Sequence, residues 1–194
     1  MLERKSPLSQ KRILGKFGNV SEEIGVTIQE TKSFSYLELT FWKAALPALS
    51  SKLFELLGVN ELPIAGKVSR IKEGALMRAA PGRLVYYGDE GTAEILRAMV
   101  SDDEGSVVSL SHSRCALSLS GPKVTNLLRR GIRLDLSEAA FPVGACGFTE
   151  IHGLGVLLIR NKADQFELIF MRTTALNMWT WLTETAEQFG YEVL

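Results

Sequence analysis

The stretch RCALSLSGPKVTNLLRRG, residues 114–131, decides the architecture. Cys115, Leu117 and Leu119 alternate with Ala116 and Ser118, the period-two pattern of a strand that buries one face. Gly121-Pro122 interrupts that period and opens a helix, on which Val124, Leu127 and Leu128 fall at helical spacing until Gly131 closes it. A strand that passes through Gly-Pro into a helix, with further strands on both sides, predicts an α+β chain.

Reading outward, strands are expected at about 145–151 and 154–160, joined by a turn at His152-Gly153, and another carries Phe166, Leu168 and Phe170. A last helix spans about 174–188 and finishes at Gly190. Toward the N-terminus, Ile24, Val26 and Ile28 form one alternating run, and Leu37, Leu39 and Phe41 form a second. Leu46, Leu49, Leu53, Leu56 and Leu57 mark an amphipathic helix, with Pro47 tolerable in its first turn and Gly58 placed to end it. Ala75–Met77 and Leu84–Tyr87 read as strands paired across Ala80-Pro81-Gly82, and Thr92 is placed to cap a short helix running to Met99. Asp102, Asp103 and Glu104 make an acidic, solvated turn, because their spacing is not that of a metal-binding loop. The order strand, helix, strand, strand, helix thus occurs twice. It predicts a basic N-terminal arm over 1–22, a first α+β lobe over 23–110 and a related second lobe over 111–194.

Composition narrows the function classes. Of the 194 residues, 46% are hydrophobic and 23% charged, the balance of a chain that folds around a core. The 22 basic residues match the 22 acidic ones, so no overall field draws the chain to nucleic acid or an anionic membrane. Cys115 and Cys146 are too few for a disulfide framework or a metal knuckle. No apolar run has the length of a signal peptide core or a membrane span. A cytoplasmic protein with neither nucleic-acid nor membrane partners is expected.

Candidate chemistry is sparse. His112 and His152 are far apart, each in a turn beside small residues, and read as surface histidines. Cys115 shares a strand face with Leu117 and Leu119, and Cys146 shares one with Phe148, so both read as small buried hydrophobes and not as activated thiolates. Gly153-Leu154-Gly155 lacks the third glycine and the helix that a dinucleotide loop requires. Ser113, Ser118 and Ser120 are turn or strand serines without the setting of a nucleophile elbow. The expectation is no catalytic, cofactor-binding or metal-binding residue. Lys123, Arg129, Arg130 and Arg133 cluster around the helix that begins at Pro122, where a solvated face is the simpler reading and contact with phosphate or a polyglutamate tail the sharper one.

Two features suggest a partner surface. The arm carries Arg4, Lys5, Lys11, Arg12 and Lys16 without sustained periodicity, and reads either as a strap on a partner or as a frayed end. On the last helix, Ala175, Met178, Trp179, Leu182, Ala186 and Phe189 fall on one stripe while Trp181 points to nearly the opposite side. A tryptophan on the polar side calls for cover, from a partner or from the arm of the same chain. Trp181, Arg4, Lys5, Lys11 and Arg12 are therefore the candidate interface residues.

The run Leu119-Ser120-Gly121-Pro122, then Leu127-Leu128 and Gly131, Leu134-Asp135-Leu136 and Phe141-Pro142-Val143-Gly144, resembles the C-terminal half of the gamma subunits of heterotetrameric sarcosine oxidase. The ending Trp179-Thr180-Trp181-Leu182 and Phe189-Gly190-Tyr191-Glu192-Val193 is similar to the end of that family, and Ser6-Pro7-Leu8 and Pro81-Gly82-Arg83-Leu84 fit it more loosely. The resemblance implies a two-lobed α+β fold like the folate-binding aminomethyltransferase of glycine cleavage. It also implies a non-catalytic assembly subunit beside alpha, beta and delta subunits. The implied complex oxidises sarcosine to glycine with tetrahydrofolate and oxygen, and holds FAD, FMN, NAD, zinc and tetrahydrofolate in the other subunits. A stand-alone folate-binding module or degenerate one-carbon transferase is the alternative, and a complex acting on another N-methylated amino acid is a third.

Overall fold

The computed structural model describes residues 5–20, 23–59, 61–71 and 73–194. It is a mixed α+β structure of twelve strands and four α-helices among those residues. In chain order they are β1 (Gly15–Phe17), β2 (Val26–Glu30), β3 (Ser35–Phe41), α1 (Leu46–Leu57), β4 (Val68–Ile71), β5 (Gly74–Ala80), β6 (Arg83–Gly88), α2 (Glu90–Met99) and β7 (Gly105–Ser109). Then follow β8 (Arg114–Ser120), α3 (Val124–Leu128), β9 (Cys146–Ile151), β10 (Leu154–Lys162), β11 (Gln165–Met171), α4 (Ala175–Ala186) and β12 (Tyr191–Val193). The chain divides into two compact units, one of Met1–Lys32 with His112–Leu194, the other of Ser33–Ser111.

The discontinuous unit holds a seven-stranded sheet in the order β1-β12-β2-β8-β11-β10-β9. Every neighbouring pair is antiparallel except β12 and β2. Residues 23–32, expected in the first lobe, lie in this unit because Thr27, Ile28, Gln29 and Glu30 pair with Ser120, Leu119, Ser118 and Leu117. Alternation located β2 correctly but carries no information on which strand it joins. The core gathers Val26 and Ile28, Leu117 and Leu119, Leu158, Leu168, and the inner stripe Ala175, Met178, Trp179, Leu182 and Ala186 of α4. Each large side chain there contributes roughly 1.5–3 kcal/mol of burial. Helix α3 is shorter than the sequence suggests: after Leu128 the chain tightens, with the N–H groups of Arg130 and Gly131 donating to the carbonyls of Leu127 and Leu128.

The described part of the N-terminal arm is built into this unit and is not a frayed end. Leu8 is fully buried in this core, β1 pairs with β12 in register Gly15 to Val193, and the Ser6 hydroxyl donates to Glu30 Oε1 at 2.5 Å. Polar spacing hid this, because one leucine and a three-residue edge strand leave no periodicity to detect.

The continuous unit holds a five-stranded antiparallel sheet, β4-β5-β6-β3-β7, against which α1 and α2 pack Leu49, Leu53, Ala93 and Leu96 onto Leu37, Leu39, Leu76 and Tyr86. Gly58 ends α1 in the left-handed conformation at φ 64°, its N–H returning to the carbonyl of Phe54. The cap of α2 is Asp89, not Thr92: its carboxylate accepts the Thr92 N–H at 2.9 Å. Asp89 also accepts the Tyr86 hydroxyl at 2.8 Å, so one side chain starts the helix and anchors it to β6.

Candidate interaction surface

On the outward side of α4, Trp181 is half-buried, and its cover comes from a source that the sequence does not announce. The indole lies against Gly131, where an added Cβ would stand 2.4 Å from Trp181 Cζ2. The turn at 131 is held to the tip of the β9–β10 hairpin by the His152 N–H, which donates to the Gly131 carbonyl at 2.9 Å, and by a bridge between Ile132 and Ile151. His152 then stacks on Trp181, with ring centroids 6.1 Å apart and planes 17° from parallel. Among the described residues His152 is the non-glycine with positive φ, at 51°. That left-handed conformation is uncommon outside glycine, although histidine tolerates it better than bulkier residues.

The turn that carries Gly131 bears three exposed arginines, Arg129 and Arg130 before it and Arg133 after it. Arg130 Nη2 donates to Gln188 Oε1 at 3.1 Å, so its side chain reaches the turn that follows α4. Asp135 turns its carboxylate back to accept the Ser137 N–H at 2.8 Å. That bond, with the Ser137 hydroxyl and the nearby Arg129 charge, holds the Asp135 carboxyl below its ordinary value.

The other candidates on the arm separate. Arg4 lies outside the described residues. Lys5 and Lys11 are exposed, but Arg12 points inward, its Nη1 3.1 Å from Glu30 Oε2. Glu30 Oε2 makes no aligned hydrogen bond, so charge rather than geometry closes that contact. Arg12, Leu14, Gln29, Glu30, Thr31, Lys32 and Leu194 line an open cleft of about 400 Å³ above the pair.

The remaining polar chemistry holds the fold together. Arg160 is buried, its Nη1 donating to the carbonyls of Phe141 at 2.7 Å and Leu136 at 3.3 Å, its Nη2 to that of Ala163 at 2.8 Å, and its guanidinium lying over the Phe166 ring at 5.3 Å. The segment 136–144 is thereby pinned to β10, a role that a basic residue inside an apolar strand run could have signalled. Cys115 and Cys146 are buried and form no disulfide, and His112 is exposed in a single helical turn. Among the described residues, no three His, Cys, Asp or Glu side chains converge as a metal would need. No described helix is long and apolar enough to cross a membrane.

Comparisons with known proteins place this surface in context. Residues 42–188 match the model of the "Sarcosine oxidase, gamma subunit family". The chain is 29% identical over 143 residues to a sarcosine oxidase subunit gamma of Corynebacterium sp. strain P-1, covering 72% of this chain and 70% of that protein. It is 24% identical over 192 residues to the subunit gamma of strain U-96, covering 96% and 92%. Among solved structures, its fold is similar to a chain of the heterotetrameric sarcosine oxidase from Corynebacterium sp. U-96, with a TM-score of 0.79, 23% identity and 96% coverage of both chains. It is also similar to the aminomethyltransferase T of the Bartonella henselae glycine cleavage system, with a TM-score of 0.61 and 17% identity over 88% of this chain and 48% of that one. With the family model spanning both helices of the continuous unit and all of α3 to α4, the chain belongs to the sarcosine oxidase gamma subunit family.

Proposed function

We propose that the chain is a non-catalytic structural and assembly subunit of a heterotetrameric sarcosine oxidase. It acts beside alpha, beta and delta subunits in the cytoplasm. The complex oxidatively demethylates sarcosine to glycine with tetrahydrofolate and oxygen. FAD, FMN, NAD, zinc and tetrahydrofolate are held by the other subunits, and this chain contributes surface. The family match over residues 42–188 carries the reading. The use of the buried polar groups supports it: Glu30 is engaged by Ser6 and Arg12, Arg160 by three carbonyls, and both cysteines are buried. These are arrangements that stabilise a fold, not ones that activate a nucleophile or poise a proton. The reading also takes the two units as related lobes, each with a strand leading into a helix, antiparallel strands and a second helix.

The test is to tag the chain in its native cell, isolate it gently, and record the visible spectrum and subunit masses of what accompanies it. Flavin absorbance travelling with larger subunits, together with sarcosine-dependent peroxide formation, is expected. A colourless chain recovered alone would overturn the reading.

A further inference from the structure

The face built by Trp181, His152 and the arginines of the 129–133 turn has an unusual chemical balance. Its donors are many: each guanidinium carries five N–H groups and no acceptor. The Trp181 indole N–H donates to no acceptor among the described residues. Arg129, Arg130 and Arg133 form no ion pair among those residues either, and the one bond seen, from Arg130 to Gln188, leaves most of its donors open. The carboxylates on the same elements meet little of this supply: Asp135 lies near Arg129 but is turned to Ser137, while Glu150 and Glu184 are exposed and pair with none of the three arginines.

The aromatic pair at the centre is held in place by backbone features. Only a residue without a Cβ leaves room for the indole at position 131, and His152, in a left-handed conformation, stacks on the ring. A solvated helix face needs neither feature. A half-buried tryptophan resting on a turn that bears exposed arginines combines two residue types enriched among those that dominate binding energy.

We propose that this face docks an acidic segment of a partner subunit. Aspartate or glutamate carboxylates of the partner accept from Arg129, Arg130 and Arg133, while an apolar part of the same segment covers Trp181 and His152. The inference rests on the assembly reading above and gives that assembly a surface and a partner chemistry. The chain's balanced charge of 22 basic against 22 acidic residues favours a local protein contact over a nucleic acid, whose binding draws on a broad basic field.

The experiment uses the tagged full-length chain recovered with its partners at about 0.15 M salt. Arg130→Glu combined with Arg133→Glu is expected to lower recovery of the partner subunits by about tenfold or more, the size expected when repulsion replaces attraction at a desolvated contact. Its circular dichroism and unfolding midpoint should match wild type, and Lys67→Glu, an exposed charge on the other unit, should leave recovery unchanged. Arg130→Lys keeps the charge and supplies an amine. Zero-length carboxyl–amine coupling should then join position 130 to an Asp or Glu of a co-purified subunit identified by mass. Full recovery by the folded double variant, coupling that reaches no acidic residue of a partner, or an associated nucleic acid lost with the double variant would each overturn the inference while leaving the assembly reading intact. A wild-type chain that recovers no subunits would overturn both.

Discussion

Leu8→Ala measures whether the N-terminal arm is part of the fold. Leu8 is fully buried in the core of the seven-stranded unit, and the chain turns directly after it, with the N–H groups of Lys11 and Arg12 donating to its carbonyl. Truncation at such a site removes three buried carbons and leaves a cavity, a combined cost of about 2–5 kcal/mol. With a urea slope of roughly 2–3 kcal/mol per M for a chain of this size, a loss near 3 kcal/mol lowers the midpoint by about 1 M. The two units need not unfold together, so the probe matters. Trp179 and Trp181 sit in the unit that holds Leu8, and their fluorescence reports that unit, while Trp42 belongs to the other. Ile13→Ala, five residues further on and 67% exposed, is the paired control and should stay within about 0.5 kcal/mol of wild type. If both variants unfold at the wild-type midpoint, the arm is not docked and the reasoning fails.

Arg160→Met should release the segment 136–144: three carbonyls lose their donor, each worth about 1–3 kcal/mol when left unpaired, so a net loss of about 2–4 kcal/mol and faster amide exchange confined to that segment are expected. Unchanged exchange there would show that the guanidinium is not the clamp. Burial, and next the hydrogen bond to Asp89, push the Tyr86 phenol above its ordinary value of 10.0. The folded chain therefore keeps a proton that the unfolded chain releases, and this contribution is complete below about pH 10 and is lost as pH rises toward the folded value. Tyr86→Phe should cost about 1–2 kcal/mol at neutral pH and flatten the alkaline loss of stability followed by circular dichroism; an equally steep alkaline limb would refute the assignment. Gly131→Ala forces the Trp181 ring off the turn, so its emission should shift red while the unfolding midpoint moves far less than in Leu8→Ala. Emission like wild type would mean that the indole does not lie on that glycine.

Much of the fold was legible in the sequence because burial on one face writes a period into the chain. The alternations at 24–28, 37–41, 115–119 and 166–170 located β2, β3, β8 and β11, and the stripe of Ala175, Met178, Trp179, Leu182 and Ala186 gave the buried side of α4. Gly58 and Gly190 marked chain reversals because each stands at positive φ, where other residues are strained. Short elements escaped: β1, β4 and β12 have three or four residues, too few for a period to show, and β1 and β12 are recognisable only by their pairing, β1 with β12 and β12 also with β2.

The partnership of elements was decided by tertiary structure alone. Local sequence makes β2 a strand, but only sheet assembly puts it beside β8, roughly ninety residues away, and so carries residues 23–32 out of the unit that follows them. The same holds for the interaction surface. That Trp181 lies on the outer side of its helix follows from counting residues at 100° each. That Gly131 and His152 cover it depends on a turn and a hairpin tip meeting in space through one hydrogen bond and one bridge. Sequence periodicity records how deeply each residue is buried; it does not record which residues do the burying, because that is fixed by contacts between segments distant along the chain.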